Sequence, residues 1–516
     1  MKFKDLLLPL GFSLLTVIFI NKFFFKSSDS GVPQGVQSGQ RFTAPKQNIE
    51  TKLLNTEIDF IDEKRSRKMV LTEVETDLAR FVFSNEGASL ERLEMKREIN
   101  GKEGFIHTIY PVGQNEKEDK CFLVALNEKT PYFYEFAGKE ETESEVRVRY
   151  RYASPASDVH IKKTYTIFKE THKLNLTVEV AAKKSLENGV EPRIFFPSPF
   201  SPEIPGGPFA VIENNKKSVE RTGGSSINEQ NWWASPSLLG ADNKYFSHVL
   251  IEDPDKFVQR GYYREPSAEK LFSILEGPTV EKNGSWTLSF YFGPKEDVAM
   301  GRVDARLEQT LDYSGWLAPI SKLLLAFLKY LYKYLGNYGL AIIVLTLLMR
   351  LLLLPFTMKA DQGMKKRVEL QKKMKYVEQK YKHDKDMLAQ AKADLIRKHG
   401  LPGLGGCLPM LLQVPIFFSL SRVLSSSIEF YKAPFFLWIT DLSAADPYYI
   451  LPMVMSGAMI LQGLLGDKNM RFPLIVMGLL FGAFLSNLSA GLGLYLAIST
   501  LLGLLQTTLQ KRLRAV

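Results

Sequence analysis

Residues 336–355 read GNYGLAIIVLTLLMRLLLLP, and this stretch says more about the fold than any other. Segment 338–356 is apolar apart from Thr346 and Arg350, and a helix of this length can cross a hydrocarbon core of about 30 Å. A cation in such a span costs roughly 3 kcal/mol on insertion scales. Two interpretations are open: Arg350 extends along the helix to the nearer membrane surface, or it faces a water-filled cavity inside the membrane.

The same apolar composition recurs in other parts of the chain. Leu6 to Phe25 is almost entirely apolar and follows Lys2 and Lys4, so residues 1–25 could be a cleaved signal peptide or a retained transmembrane anchor. We favour the anchor, because no small-residue cleavage site is evident after it. Each of four later segments is also long enough to cross a bilayer. These segments are 407–428, 448–465, 472–488 and 492–509. We therefore expect a polytopic α-helical membrane protein with six transmembrane helices.

Basic residues predict the orientation of these spans. Segment 358–400 holds 13 Lys and Arg against 6 Asp and Glu, and the N-terminus, loop 466–471 and the C-terminal tail are also basic. In a six-span chain all four regions lie on one side, which the positive-inside rule makes cytoplasmic. Both termini are then cytoplasmic, and residues 26–316 lie on the opposite side of the membrane.

Residues 358–400 are predicted to form a cytoplasmic hairpin of two antiparallel helices. Apolar residues recur at steps of three and four, and Asp384 and Asp386 are candidate caps for the second helix. Its basic residues could contact anionic lipid or ribosomal RNA, or they could only set the topology of a solvated spacer. The candidate contact residues are Lys365, Lys366, Arg367, Lys372 and Lys373.

The region outside the cytoplasm has a different composition. Residues 26–56 are rich in Ser, Gly, Gln, Thr and Pro, which predicts a flexible linker. Residues 57–310 contain short runs that alternate polar and apolar, such as Val146 to Tyr152. This period of two is typical of half-buried antiparallel strands, so we expect one β-sandwich domain of about 250 residues.

Residues 311–335 connect the β domain to the membrane core. Leu323 to Leu335 is apolar except for Lys329 and Lys333, and these two lysines share one face of a helix with Lys322 just before them. Such a helix is suited to the membrane interface, so we predict an amphipathic interfacial helix here. The remaining residues, 336–516, form the predicted core of five transmembrane helices and the hairpin.

Several classes of function find no support in the sequence. The formal net charge of +10 divides into +14 for residues 317–516 and −4 for the remainder, so it is not the evenly spread basicity of a DNA-binding chain. The chain contains no GxxxxGK[ST], HExxH, CxxC or GxSxG motif, and its histidines lack metal-ligand spacing. We expect no catalytic residues, no metal, no cofactor and no DNA partner, and hence no enzyme.

Long ordered segments of the chain resemble the YidC family of bacterial membrane protein insertases. They are GNYGLAIIVLTLLMRLLLLP (336–355), LGGCLPMLLQVPIFFSL (404–420), APFFLWITDLSAADPYYILP (433–452) and GLGLYL (491–496). The external domain, through FSNEGASLERLEM (83–95), resembles the Gram-negative type of this family. The resemblance implies a periplasmic β-supersandwich domain and an insertase core in the inner membrane.

The resemblance also implies a mechanism. Arg350 matches the arginine of a hydrophilic groove that opens to cytoplasm and lipid, and Tyr495 matches an aromatic position of the last span. Thr346 and Gln413 lie at a depth similar to that of Arg350 and complete the predicted groove. A polar external segment of the substrate would enter this groove, while its apolar helix moves along the third and fifth spans into lipid.

Partners follow from the same resemblance. The substrates are nascent membrane proteins, and the hairpin is implied to recruit or orient them. The Sec translocon, the ribosome and targeting factors are candidate partners beside the phospholipid bilayer. The family's second tyrosine after Tyr495 is Leu496 in this chain, so a contact made by two tyrosines is not expected.

Two other classes of function were considered from the residues alone. A solute transporter with an external binding domain would be expected to contain internal repeats, and none is visible. An envelope scaffold would use its β domain to bind sugar, for which Trp232 and Trp233 could form a stacking platform. Buried core aromatics are the competing interpretation of that pair.

Overall fold

A computed structural model describes the chain from residue 54 to residue 515, with several short gaps. The residues outside the described part are 1–53, 62–67, 100–101, 111–116, 128, 153–158, 183–188, 214–217, 228–230, 313–316, 383, 400–407, 466–470 and 516. The predicted anchor 1–25 and most of the predicted linker 26–56 therefore lie outside the described residues. The chain divides into two compact units, a β domain and a helical domain.

The β domain contains eighteen strands within its described residues. They are β1 (Leu71–Glu75), β2 (Ala79–Ser84), β3 (Ser89–Ile99), β4 (Lys102–Ile109), β5 (Leu123–Ala125), β6 (Glu135–Glu141), β7 (Glu145–Tyr152), β8 (Val159–Phe168), β9 (Lys173–Ala182), β10 (Arg193–Pro197), β11 (Phe209–Glu213), β12 (Val219–Gly223), β13 (Trp232–Ala234), β14 (Leu239–Asp242), β15 (Phe246–Glu252), β16 (Arg260–Ser267), β17 (Lys270–Glu276) and β18 (Asn283–Pro294). A short helix, α1 (Asp297–Gly301), follows the last strand.

These strands form three sheets whose neighbouring strands pair in antiparallel fashion. The four-stranded sheet has the order β1-β2-β3-β4, and the five-stranded sheet has the order β13-β16-β17-β10-β5. The nine-stranded sheet has the order β12-β11-β14-β15-β18-β9-β8-β7-β6. Sheets that pack face to face are the arrangement expected of a β-sandwich with one buried face per sheet.

Strand β7 shows how the alternating pattern produces this domain. Its apolar residues, Val146, Val148, Tyr150 and Tyr152, are buried, while the arginines between them point the other way. Arg149 forms an ion pair of 2.6 Å with Glu140 on the neighbouring β6. The period of two therefore identifies both the strand and its buried face.

The start of the domain differs from the predicted boundary at residue 57. Leu54 packs against a buried cluster that includes Phe195 and Ile274. The carbonyl of Asn55 accepts a hydrogen bond of 2.9 Å from the Tyr262 hydroxyl. Residues 54–56 therefore belong to the β domain rather than to the linker predicted for 26–56.

The tandem tryptophans belong to the packed interior of the domain. Trp232 lies against the same buried cluster, and the Trp233 ring meets the Tyr263 ring edge-on at 5.7 Å between centroids. Both side chains are half-buried. These contacts favour core aromatics over an exposed stacking platform for sugar.

His248 is a buried, uncharged histidine in the nine-stranded sheet. Its ring stacks on Phe292 with 4.1 Å between centroids, and Nδ1 lies 3.0 Å from the Pro197 carbonyl oxygen. The side chain is fully buried, and this burial lowers the pKa of His248 to about 3. A histidine in the unfolded chain keeps its ordinary pKa of 6.5.

We expect this difference to make the β domain less stable in mild acid. Between pH 7 and pH 5 the unfolded chain gains a proton at His248 that the folded chain does not bind. The free energy of unfolding should therefore fall by about 2 kcal/mol on account of this residue alone. Urea unfolding at the two pH values measures the change, with His248→Gln as the control. An equal loss of stability in wild type and His248→Gln would contradict the assignment.

The helical domain contains seven helices within its described residues. They are α2 (Ala318–Leu335), α3 (Tyr338–Lys380), α4 (Lys385–His399), α5 (Leu408–Ser426), α6 (Ile450–Leu465), α7 (Arg471–Leu485) and α8 (Ala490–Ala515). Two segments are long and apolar enough to cross a membrane, Tyr338–Pro355 and Ala490–Leu509. Ile450–Leu465 and Leu474–Phe484 are shorter apolar helical segments.

Helix α2 begins later than the predicted segment 311–335 and ends where the sequence indicates. Pro319 lies in its first turn, a position where the missing N–H removes no helical hydrogen bond. Gly336 terminates it in the left-handed conformation, with φ of 62°. Lys329, on the predicted basic face, forms an ion pair of 2.5 Å with Glu429.

Helix α3 differs from the prediction of a separate span, 338–356, and hairpin, 358–400. It is continuous through Pro355, so the first hairpin helix extends the transmembrane segment. Proline removes one backbone hydrogen bond, and the helix continues past Pro355 without that bond. The predicted cap of α4 is present, since Asp384 Oδ1 accepts a hydrogen bond of 3.0 Å from the Met387 N–H. Lys392 on α4 pairs with Glu378 on α3 at 2.7 Å, which joins the two hairpin helices.

Small residues allow α6 and α7 to approach closely. A Cβ atom on Gly482 would clash with Ser456 Oγ, and one on Gly478 would lie 3.2 Å from the Ser456 carbonyl oxygen. Gly478 and Gly482 form a GxxxG pair on α7 that fits against α6. Helix α8 in turn packs against α3 and α6.

Candidate polar site between the transmembrane helices

Helix α8 carries a row of polar or small residues along one face. Tyr495, Ser499, Gly503 and Thr507 follow one another at intervals of four, so they lie on the same side of the helix. Side chains from α3, α5 and α6 reach this row, as described below. We call these residues and their partners the polar site.

Arg350 extends from α3 to this row. Its Nε donates a hydrogen bond of 3.1 Å to Ser499 Oγ, and Nη2 donates to Ser499 Oγ at 2.8 Å and to the Ser499 carbonyl at 2.5 Å. The guanidinium therefore points into the helical domain, toward α8, and not along α3 to its end. This geometry argues against the surface-reaching interpretation.

The charge of Arg350 is not neutralised by a neighbour. No carboxylate in the described part of the chain forms an ion pair with it. A guanidinium has five N–H donors, and the bonds to Ser499 leave those on Nη1 without a partner among the described residues. The site therefore offers a positive charge and free donors to a polar group that approaches it.

Gln413 and Tyr495 meet beside this charge. Gln413 Nε2 donates a hydrogen bond to the hydroxyl of Tyr495, and so joins α5 to α8. Tyr495 is almost fully buried. Since Tyr495 and Ser499 are one helical turn apart, the structure brings three of the four predicted groove residues together.

Thr346 has a different environment. It lies one turn before Arg350 and is fully buried, and its hydroxyl donates a hydrogen bond of 2.7 Å to the Ile342 carbonyl of its own helix. A threonine that bonds back to its helix has its donor satisfied. Thr346 therefore contributes bulk and packing near Arg350 rather than a free donor.

The sequence analysis missed the residues that complete the site. Ser499 holds Arg350, Gln462 Nε2 donates to Thr507 Oγ1 at 3.3 Å, and Gln506 Nε2 lies 3.5 Å from Thr357 Oγ1. A Cβ atom on Gly503 would lie 3.6 Å from Arg350 Nη2 and 3.7 Å from Gln462 Nε2, so the glycine leaves space between the two groups. The interval of four along the last span could have indicated Ser499, Gly503 and Thr507, but not Gln462, Gln506 or Thr357, which lie outside that row.

The chemistry of the site is that of a polar receptor. It combines one net positive charge with amide and hydroxyl groups inside a largely apolar set of helices. Within the described residues, no group of three His, Cys, Asp or Glu side chains is placed to hold a metal ion. Such a site can attract and hydrogen-bond an acidic or polar peptide segment.

The predicted hairpin contacts lie on the part of α3 that follows Pro355. Lys373 is exposed. The side chains of Lys365, Lys366, Arg367 and Lys372 lie outside the described residues, although their backbone belongs to α3. This part of the site stays a prediction.

The fold and the polar site define a membrane protein that has a β-sandwich domain and a charged site among its transmembrane helices. Residues 330–515 match the family described as 60Kd inner membrane protein, and residues 71–327 match the family described as YidC periplasmic domain. The chain belongs to the YidC family of membrane protein insertases. It is an inner membrane protein that inserts membrane proteins, and its β domain is periplasmic.

Individual relatives agree with this assignment. A membrane protein insertase YidC of Citrifermentans bemidjiense is 30% identical over 84% of this chain and 84% of its own length. The insertase YidC of Geobacter sp. is 38% identical over 51% of this chain and 50% of its own. Among solved structures, an active YidC insertase with its first transmembrane domain resolved has 20% identity and a TM-score of 0.37, covering 88% of this chain and 95% of that one.

Proposed function

We propose that the protein inserts its substrates through a hydrophilic groove formed by the polar site and open to cytoplasm and lipid. The observation that carries this proposal is the guanidinium of Arg350, held by Ser499 on α8 and without a carboxylate partner in the described part of the chain. A positive charge kept within apolar helices is costly, so its presence there indicates a functional site. Here it attracts the polar external segment of a substrate.

The free energy for insertion comes from the substrate itself. Burial of its apolar helix in lipid is favourable, and the barrier is the transfer of the polar segment that must cross. Hydrogen-bonding groups inside the membrane lower that barrier because the segment exchanges water for the amide, hydroxyl and guanidinium groups of the site. The process then needs no catalytic residue, nucleotide or cofactor.

The apolar helix of the substrate leaves along the third and fifth spans, which correspond to α5 and α7. Both helices carry apolar side chains that no other described part of the chain covers. Val414 on α5 and Leu479 and Leu480 on α7 are exposed. These side chains offer apolar contacts to the substrate helix as it moves into lipid.

The membrane arrangement that serves this function has six spans, with both termini in the cytoplasm and residues 26–316 in the periplasm. The distribution of Lys and Arg supports it, because the basic segments all fall on one side. The hairpin then stands in the cytoplasm beside the open end of the groove.

The hairpin is the proposed contact for incoming chains. It carries a net charge of +7 over residues 358–400, and the Lys392–Glu378 pair joins its two helices. Lys365, Lys366, Arg367, Lys372 and Lys373 are the proposed contact residues. A basic hairpin at the membrane surface suits ribosomal RNA and targeting factors, and the Sec translocon is a further proposed partner.

Photocrosslinking to a stalled nascent chain tests the groove. A photoreactive amino acid at position 354, one turn after Arg350, or at 417, one turn after Gln413, should crosslink to the polar external segment of the substrate. Leu352 is the matched control, since it is exposed and lies on the far side of α3 from Arg350. Equal crosslinking from position 352, or none from positions 354 and 417, would reject the proposed route.

A further inference from the structure

The loop between α5 and α6 exposes a group of large apolar side chains. Leu437 is 87% exposed, and Phe436, Tyr448 and Tyr449 are each at least 53% exposed. We call these four residues the apolar tip. Side chains of this kind normally lie in a core, so a group of four exposed ones indicates a surface that contacts something else.

The tip is held in a fixed shape by two carboxylates. Asp446 Oδ1 accepts hydrogen bonds from the Trp438 indole N–H at 3.0 Å and from the Tyr448 N–H at 3.1 Å. Asp441 Oδ1 accepts from the Lys432 N–H at 3.0 Å. Asp446 thus connects both halves of the tip, so the exposed positions of the four side chains are set by the fold of the loop.

The backbone of the tip is strained where it presents these side chains. Leu437 and Tyr449 both have φ of 56°, in the left-handed region that such residues rarely adopt. The exposed Leu437 side chain gains little packing within the described part of the chain that could offset this strain. A contact outside the chain is therefore the expected compensation.

The position of the loop identifies that contact. Asn337 Nδ2, at the start of α3, donates to the Phe435 carbonyl at 3.2 Å, and the Gly491 N–H, at the start of α8, donates to the Leu442 carbonyl at 2.8 Å. These helices contain the two segments long enough to cross a membrane, and both begin at the loop. The loop therefore lies at the level where the bilayer surface meets the helix ends.

We propose that the apolar tip inserts into the boundary between headgroups and acyl chains of the leaflet that surrounds the N-terminal ends of α3 and α8. Aromatic residues favour this boundary, because their rings are apolar and their polar atoms can remain in contact with water and headgroups. The tip then acts as a lipid anchor that fixes the depth of α3 and α8. The proposal requires these helices to span the bilayer, but it does not depend on the groove.

Fluorescence quenching in proteoliposomes tests the anchor. The full chain, carrying an environment-sensitive fluorescent amino acid at position 437, is reconstituted in phosphatidylethanolamine and phosphatidylglycerol vesicles without substrate. Lipids with a nitroxide near the headgroup should quench the probe severalfold more strongly than iodide supplied on both sides of the membrane. Probes at Lys256, in an exposed turn of the β domain, and at the exposed Lys375 should instead be quenched more strongly by iodide than by the nitroxide lipids.

The possible outcomes separate the lipid from other occupants. Quenching by iodide at position 437 equal to that at Lys256 would place the tip in water and overturn the proposal. Protection from both quenchers would indicate that protein covers the tip, and it would also overturn the proposal. Because no substrate is present, either failure leaves the groove mechanism untouched, and failed crosslinking in the groove leaves the anchor untouched.

Discussion

Replacing Arg350 by alanine is expected to reduce the insertion of substrates with acidic external tails by about tenfold or more. Charge-assisted hydrogen bonds contribute roughly 1.5–3 kcal/mol each, and 1.4 kcal/mol corresponds to a factor of ten. The alanine variant removes both the charge and the donors on Nη1, and it leaves Ser499 without its partner. Substrates with neutral tails should be less affected, since they lose hydrogen bonds but no attraction between opposite charges.

Two further variants distinguish the effect of the positive charge at residue 350 from the effect of its hydrogen bonds to Ser499. Arg350→Lys keeps the positive charge and should preserve most of the activity, although lysine cannot reproduce all three bonds to Ser499. Ser499→Ala keeps the guanidinium but removes the hydroxyl that accepts from Nε and Nη2, so we expect an intermediate defect. Protease protection of the external tail after insertion into vesicles measures all three variants. If Arg350→Ala inserts acidic and neutral substrates as wild type does, the arginine has no part in the route.

The parts of this molecule that follow from a local pattern could be predicted from the sequence. The period of two in β7 identifies a strand and its buried face, and the apolar composition around Arg350 identifies a helix that is long and apolar enough to cross a membrane. These signals depend only on residues close together in the chain. The same holds for the end of α2 at Gly336, where the left-handed backbone favours glycine.

Partners that are distant in sequence could not be predicted in this way. Arg350 and Ser499 are 149 residues apart, and a serine in an apolar helix gives no sign of which helix it faces. The continuity of α3 through Pro355 was missed for a different reason. Proline weakens a helix locally, and the sequence does not show whether the flanking segments compensate for the lost bond.

The buried position of Lys163 in the β domain could be predicted from the sequence, but its hydrogen-bond partners could not. It occupies an inward position of β8, between the buried Ile161 and Tyr165, so the alternating pattern alone predicts a lysine in the core. Its partners are 41 to 76 residues away, at the Gly87, Ala88 and Phe122 carbonyls, and no pattern reveals them. Sequence periodicity thus locates the buried charge but not the groups that stabilise it.

These three carbonyls explain why the buried lysine is tolerated. Lys163 Nζ donates hydrogen bonds of 2.8, 2.8 and 2.6 Å to Gly87, Ala88 and Phe122, which accounts for all three ammonium hydrogens. Gly87 and Ala88 form the turn between β2 and β3, and Phe122 precedes β5. One side chain of the nine-stranded sheet therefore binds the turn between the two central strands of the four-stranded sheet and the residue before β5, an edge strand of the five-stranded sheet.

Replacing Lys163 by methionine is expected to lower the free energy of unfolding of the β domain by about 3–5 kcal/mol. Methionine has nearly the same length, so it fills the space, but it leaves three buried carbonyls without their hydrogen-bond donor. These carbonyls belong to residues with φ of 65°, 42° and 63°, and this left-handed backbone loses the bonds that stabilise it. Urea unfolding of the full chain, followed by hydrogen exchange in β5 and β8, measures the loss.

The neighbouring lysine provides the control for this prediction. Lys162 lies on the opposite face of β8 and forms an exposed pair with Glu179 at 2.6 Å. Exposed pairs of this kind contribute about 0–1 kcal/mol, so Lys162→Met should change the stability by no more than that. The test compares the loss in free energy of unfolding caused by Lys163→Met with the loss caused by Lys162→Met. If Lys163→Met is as mild as Lys162→Met, the three sheets are held together by apolar packing alone, and the buried ammonium is dispensable.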